Sequence, residues 1–279
     1  MQVLVTGGLG FIGSNLVKRL VEEGCEITVI DNLSTGTMDN YVPGVRTIQE
    51  DINNIHLVEG DFDVCYHLAA LSRVQPSFVS PKETYKSNVT GTLNVLEYCR
   101  HRDINCIYAG SSSKHQGPYT SPYATTKHLG EELCKMYRDV YCMVVDIARF
   151  YNVYGPNEIV YDDFAAVIGI WRRQKQEGVP LSIVGDGKQS RDFTHVEDIV
   201  DGLWRMGISN KSHEDAFELG SGVRYSILEV ASWFNHPIEF IPEQKGNYRT
   251  SLRVNNDAID MLGWRPGDTL KEYVENLYN

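Results

Sequence analysis

Along the first half of the chain, short apolar runs alternate with stretches whose apolar residues recur every three to four positions. Residues 2–5 (Gln-Val-Leu-Val) are nearly continuous in apolar character, whereas Leu16, Val17 and Leu20 fall on one face of a helix predicted over 11–23. Further strands are predicted at 26–30, 45–49, 64–68, 105–109 and 142–148, with helices at 81–102 and 123–140. Apolar strands separated by helix-period segments read as βαβ units around a parallel sheet covered on both faces. After Asn152 the texture changes. A turn cluster, Tyr154-Gly155-Pro156-Asn157, precedes a helix at 164–176, a strand at 180–184, a polar loop at 185–191, a helix at 198–206 and a tail of short helices and prolines.

The first strand-to-helix turn carries the first candidate chemistry. In Thr6-Gly7-Gly8-Leu9-Gly10-Phe11-Ile12-Gly13 the glycines at 7, 10 and 13 permit a tight turn, a close approach of backbone to a pyrophosphate, and close packing of helix on strand. A phosphate then meets free N–H groups at a helix N-terminus. Asp31 ends the second predicted strand, 18 residues past Gly13. A carboxylate there accepts hydrogen bonds from adenosine ribose hydroxyls and repels a 2′-phosphate, which favours NAD over NADP. The expected fold class is therefore α/β: a Rossmann doubly wound parallel sheet over residues 1–153, with a return segment near 191–207, and a smaller α+β substrate-binding lobe over 154–279.

Composition narrows the partners. The 279 residues carry 26 Lys plus Arg against 37 Asp plus Glu, a formal charge of −11. An acidic surface repels phosphate backbones, so no nucleic-acid partner is expected. No apolar stretch approaches the roughly 20 residues that span a bilayer, and the N-terminus lacks the basic and apolar regions of a signal peptide. A soluble cytoplasmic protein without a membrane partner is expected. The six cysteines (Cys25, Cys65, Cys99, Cys106, Cys134, Cys142) form no Cys-x-x-Cys pair and have mostly apolar neighbours, so they read as reduced core thiols. The eight histidines show no ligand spacing, and no metal is expected. Trp171, Trp204 and Trp264 read as core residues.

Tyr123-Ala124-Thr125-Thr126-Lys127 places a phenol and an ammonium at i and i+4, on one helix face. A nearby cation favours the phenolate and brings the tyrosine toward use as a base. Upstream, Ser111-Ser112-Ser113 follows a strand predicted to end at the carboxyl edge of the same sheet.

Taken together, these motifs resemble the extended short-chain dehydrogenase/reductase family, and within it the nucleotide-sugar 4-epimerases. Asp31-Asn32-Leu33-Ser34-Thr35-Gly36 resembles that group's adenosine-binding stretch, Asp51-Ile52 its adenine-contacting pair, and His67-Leu68-Ala69-Ala70 the strand along the dinucleotide. Asn88, in Asn88-Val89-Thr90-Gly91-Thr92, matches a helix residue near the cofactor. Tyr151 and Asn152, in Arg149-Phe150-Tyr151-Asn152-Val153-Tyr154-Gly155-Pro156, match a loop between nicotinamide and substrate diphosphate. Arg191 matches a phosphate-binding arginine, with Arg249 or Lys245 as candidates for a second. Leu262-Gly263-Trp264-Arg265-Pro266 matches a C-terminal signature, so the likeness runs nearly end to end.

The resemblance implies an NAD-dependent epimerase of a nucleotide-diphosphate sugar, acting at C4 through a 4-keto sugar. It implies Tyr123 as base, Ser112 as hydrogen-bond partner of the same oxygen with Ser113 as alternate, and Lys127 on the nicotinamide ribose. Arg191, Asn152 and Arg249 are expected on the diphosphate. Ser251 stands where the family limits room around the sugar C2 substituent, and its small side chain suits an N-acetylated sugar. Helices 81–102 and 123–140 are expected to pair into a homodimer. Two other readings stay open: a 4-keto-sugar reductase or dehydrogenase that exchanges its cofactor each cycle, and a catalytically silent NAD-binding protein. The chain also departs from the family. Only ten residues separate Ser112 from Tyr123, and the usual Val-Tyr-Gly is replaced by Lys114-His115-Gln116-Gly117. Dehydratases and decarboxylases of the family carry an acid beside the catalytic Ser or Thr, where Ser113 and Lys114 stand here. Lys114 and His115 read either as a cationic pair for a substrate carboxylate or phosphate, or as polar loop side chains.

Overall fold

In the computed structural model, which describes residues 1–209 and 211–277, the apolar runs of the first half become strands β1 (Gln2–Thr6), β2 (Glu26–Asp31), β3 (Arg46–Gln49), β4 (Val64–His67), β5 (Asn105–Ser111) and β6 (Val145–Phe150). The helices between and beside them are α1 (Phe11–Glu22), α2 (Val74–Val79), α3 (Pro81–Tyr85), α4 (Gly91–Arg102) and α5 (Pro122–Tyr141). The second half adds α6 (Val167–Gln176), α7 (Val196–Ile208), α8 (Ile227–Trp233), α9 (Asp257–Leu262) and α10 (Leu270–Asn276), with seven short strands. Those strands are β7 (Val153–Tyr154), β8 (Leu181–Val184), β9 (Ser190–Asp192), β10 (Thr194–His195), β11 (Phe217–Leu219), β12 (Arg224–Ser226) and β13 (Ile238–Ile241). The end of the expected substrate lobe, Tyr278 and Asn279, lies outside the described residues.

Seven strands form one sheet in the order β11-β6-β5-β4-β1-β2-β3, every pair parallel. Successive strands leave β1 in opposite directions, so a crevice opens at its carboxyl end, the place where ligands bind in such sheets. The fold is a Rossmann-like doubly wound sheet with helices on both faces. The remaining strands pair as β7 with β10, β8 with β13, and β9 with β12, and frame a smaller lobe above that end.

Burial explains the layering. Val3, Val5, Leu16 and Leu20 join Val196, Ile199, Leu203, Phe217, Leu219 and Trp264 in a single core on one face. Leu4, Ile30, Ile52, Cys65, Val95, Cys106 and Tyr137 form the core on the other. A third core, with Tyr154, Ile168, Trp171, Leu181 and Phe234, belongs to the smaller lobe. The chain therefore returns to the sheet well past residue 207: α7 covers α1, β11 extends the sheet, and Trp264 closes the same core. Trp171 and Trp264 are fully buried and Trp204 packs against the first core. Cys65, Cys99, Cys106 and Cys134 are buried free thiols, whereas Cys142 is exposed.

Two boundaries differ from expectation, with consequences for the site. β5 runs on to Ser111, because Ser111 still pairs with Phe150 of β6. β6 begins only at Val145, because α5 continues to Tyr141 and ends on Cys142 at φ 54, a left-handed cap. The helix expected from residue 164 begins at Val167, and α2 falls in a segment for which no helix is predicted. Among the described residues no helix is long and apolar enough to cross a membrane.

Candidate active site

A cavity of about 660 Å³ opens over the carboxyl ends of β1, β4 and β5 and reaches under the smaller lobe. Its floor is the glycine turn. Gly7 has φ 72, and a Cβ on Gly13 would stand 2.0 Å from Gly7 O. Only glycine fits there, and the turn leaves the start of α1 facing the cavity. The Asp31 carboxylate accepts from Leu9 N at 2.9 Å and Leu33 N at 2.8 Å, so it clamps the turn to the end of β2. Gly7, Gly10, Phe11, Ile12, Gly13, Asp31, Asn32, Ser34, Thr35, Asp51, Ile52, Leu68, Ala69 and Ala70 all line the cavity. This cradle, with no side chain at Gly13 and a carboxylate at the ribose end, fits a dinucleotide.

Four residues expected on the cofactor are placed elsewhere. Leu33 packs against the first core, and Gly36 sits against the Asp31 carboxylate. Asn88 is buried and ties Leu71, through both N–H and C=O, to Thr126 Oγ1, so it fixes the exit of β4 against α5 rather than lining the cavity. Tyr151 turns to the opposite side, its hydroxyl donating to Glu218 at 2.6 Å, because residues alternate sides where Phe150 and Asn152 face the cavity.

The reacting groups come from β5 and α5. Ser121 caps α5 by accepting from Ala124 N at 3.0 Å, Pro122 occupies the first turn, and Tyr123 N donates to Ser77 Oγ of α2. Tyr123 and Lys127 line the cavity one helical turn apart. The Tyr123 hydroxyl donates to Ser111 Oγ at 3.3 Å, not to Ser112. With β5 extended to Ser111, it is this side chain, one position before the expected Ser112, that meets the tyrosine, and Ser112 stands beside it in the same cavity. Ser111 Oγ also accepts from Ser113 N at 3.2 Å, and Ser111 N donates to Glu131 at 3.4 Å, so the hydroxyl is held from both sides. Ser112 and Ser113 are buried and line the cavity, and Ser113 Oγ has no hydrogen-bond partner.

Burial lifts the Tyr123 phenol above its ordinary value, while the Ser111 hydrogen bond and the Arg73 guanidinium pull it down. Burial lowers the Lys127 ammonium to about 8, against the opposing pull of Glu131. Its Nζ sits 4.3 Å from the centre of the Tyr108 ring. His67 lies beneath, its ring nitrogens at 2.8 Å from Thr6 Oγ1 and 3.0 Å from Thr92 Oγ1, and burial with the Lys127 charge holds it neutral at about 3.

At the lobe side, Arg191 stacks on Tyr248 at 4.0 Å and donates to Asn247 at 3.2 Å, and all three line the cavity. Asn152, at φ 25, donates to Asp192 O and to Ser251 Oγ. Ser251 is thus buried beneath Asn152 and does not line the cavity, where Tyr248 stands instead. Arg249 is also outside it: exposed, and paired with Asp186 at 2.7 Å. Tyr248 and Arg73 are among the lining residues that carry no sequence motif. The only sequence signal for Arg73 was a lone cation four residues past the Ala69 of a buried segment.

Lys114 and His115 turn away from the cavity. Arg149, almost fully buried, binds Glu131 at 2.8 Å, Glu218 at 2.9 Å and Asp215 at 2.5 Å. Lys114 reaches Glu131 and Asp215 at 3.3 Å each, and His115 reaches Glu218 at 2.9 Å. The shortened loop is thus pinned to a charge cluster behind Ser111, and its cations are already engaged.

The sequence model of the NAD dependent epimerase/dehydratase family matches residues 3–220. The chain is 32% identical over 303 residues to a putative UDP-glucose 4-epimerase of Methanocaldococcus jannaschii, covering 100% of this chain and 97% of that protein. It is 31% identical to UDP-glucuronic acid decarboxylase 4 of Arabidopsis thaliana, covering 98% of this chain and 66% of that one. Its fold superposes with a TM-score of 0.91 on a UDP-glucose 4-epimerase of Thermotoga maritima solved with UDP-glucose, at 27% identity over 99% and 96% of the two chains.

Proposed function

The chain belongs to the NAD-dependent epimerase/dehydratase family, and from that premise we propose that it inverts C4 of a nucleotide-diphosphate sugar through a 4-keto intermediate. The observation that carries this reading is the Tyr123–Ser111 hydrogen bond inside the cavity floored by the glycine turn. NAD, when bound, supplies the group that takes up and returns a hydride. Gly7, Gly10, Gly13 and Asp31 would hold its adenosine half, and Lys127 its nicotinamide ribose. Tyr123 removes the proton of the sugar 4-hydroxyl, and Ser111 hydrogen-bonds the same oxygen as charge develops on it. The Ser111 hydrogen bond and the Arg73 guanidinium pull the phenol down and so favour the phenolate. Arg191 holds the diphosphate while the 4-keto sugar turns its other face, after which Tyr123 returns the proton.

The relatives include a decarboxylase as well as epimerases. With Ser111 as the partner of Tyr123, the two residues beside it are Ser112 and Ser113, neither of which supplies the acid that elimination requires. That favours epimerisation. A homodimer through α4 and α5 suits the exposed Leu93, Leu129, Met136 and Val140 on those helices. The test is incubation of the purified protein with a panel of nucleotide sugars without added NAD(H), followed by NMR of the products. An epimerase inverts C4 with its retained cofactor, and Tyr123→Phe keeps the cofactor but loses turnover. Stoichiometric consumption of added cofactor would indicate a reductase, and cofactor binding with no reaction on any sugar a silent binder.

A further inference from the structure

Arg73 is a cation lining this cavity that a neutral hexose leaves unexplained. It sits at the start of α2, partly buried, with Nε donating to Phe164 O at 2.5 Å and Nη1 to Ser72 O at 3.1 Å. Among the described residues no carboxylate lies within 4 Å of it. Glu158, the acid whose charge it feels most, is already bound to Arg172 at 2.9 Å. Burial pulls the Arg73 guanidinium below its ordinary value, and the carboxylate that acts on it, Glu158, is shared with Arg172, so the fold holds a partly desolvated charge that no ion pair within 4 Å offsets.

That position decides which anion fits. In a pyranose bound for reaction at C4, C4 meets Tyr123 and the diphosphate hangs from C1, across the ring, where Arg191 is available. Arg73 lines the cavity from the start of α2, the helix whose Ser77 Oγ accepts from Tyr123 N, and so it faces substituents on the carbons flanking C4, not the diphosphate. We propose that Arg73 is a specificity-determining residue that recognises a carboxylate carried next to C4, so that the substrate is an acidic nucleotide sugar. The carboxylate is either C6 of a hexuronic acid or the acid of an ether side chain on O3. This rests on the C4 reading above.

The experiment compares each acid with its neutral counterpart on the full-length protein: UDP-glucuronic acid against UDP-glucose, and UDP-N-acetylmuramic acid against UDP-N-acetylglucosamine. The pair showing the preference identifies the source of the carboxylate. Turnover of the wild type should favour one acid in kcat/KM by roughly 10- to 100-fold, the scale of a charged hydrogen bond. Arg73→Gln should erase that preference mainly through KM, and Arg73→Lys should restore part of it. Equal or greater use of the neutral sugars overturns the proposal. So does an Arg73→Gln variant whose dissociation constants rise equally for acid and neutral sugars, the behaviour of a strut to Phe164, whereas a loss of kcat common to both reflects the pull of Arg73 on the Tyr123 phenol. Dissociation constants of the four sugars with Tyr123→Phe give the same acid-to-neutral ratio without turnover. If no sugar is epimerised, the C4 reading fails while this ratio still decides the role of Arg73.

Discussion

His115 Nε2 lies 2.9 Å from Glu218 Oε1, and this contact joins the shortened loop to a cluster built on Arg149. Glu218 accepts at once from His115, Arg149 and the Tyr151 hydroxyl, while its own side chain is 1% exposed. Removing it leaves the Arg149 guanidinium short of a partner in a place water does not reach. Glu218→Ala is expected to cost about 3 kcal/mol of stability, the usual penalty for breaking a buried ion pair. Urea unfolding of the variant against the wild type measures it; a loss below about 0.5 kcal/mol would show that the cluster relaxes freely.

Ser111 and Ser112 are adjacent, yet only Ser111 bonds the Tyr123 hydroxyl. Ser111→Ala should lower kcat by on the order of 100-fold, the scale of losing one donor to a developing oxyanion. Ser112→Ala should cost less than about tenfold under the same assay. Steady-state kinetics on the active nucleotide sugar separates the two, and the reverse order would return the catalytic role to Ser112.

His67 is held neutral at about 3, well below the ordinary imidazole value, by burial and by the charge of Lys127. The unfolded chain therefore binds a proton between about pH 6.5 and 3 that the folded chain refuses. Stability from this group is complete above the unfolded value and is lost as the pH falls toward the folded one. The wild type should lose roughly 4 kcal/mol more than His67→Asn across that window. Unfolding free energies at several pH values report the difference as a slope, and parallel curves would remove His67 from the account.

Gly13 leaves a side chain no room, since a Cβ would fall 2.0 Å from backbone of the same turn. Gly13→Ala should weaken NAD binding at least tenfold by forcing the turn apart, as fluorescence titration of the apo protein would show. Gly24→Ala is the control, because nothing lies within 4 Å of a Cβ there, although its φ of 74 carries a local strain of its own.

The parallel sheet, the glycine turn and the Tyr123/Lys127 pair were legible because each depends on local periodicity or spacing. That Ser111 rather than Ser112 bonds the Tyr123 hydroxyl was not readable locally: Ser111 belongs to β5 only because Phe150, far along the chain, pairs with it. Arg249 resembled a diphosphate ligand in sequence, but Asp186 claims it at the surface. Tyr151 stood in the right stretch on the wrong side, a one-residue parity that the sequence does not reveal. Lys114 and His115 looked available because their partners, Glu131, Asp215 and Glu218, come from α5 and from the region of β11. What escaped was consistently long-range pairing, of charges or of strand edges.

The core that holds Val3 and Leu16 is completed by Leu203, Phe217 and Trp264. The nucleotide-binding half consequently cannot be excised as an autonomous module: a chain stopped at residue 153 would expose the apolar backs of β1 and α1 to solvent. Segments that frame the sugar are threaded through the same scaffold that cradles the dinucleotide. Exchanging the smaller lobe between relatives by cutting near residue 153 would thus graft half a hydrophobic interior, and recombination that preserves folding must carry both ends of the chain together.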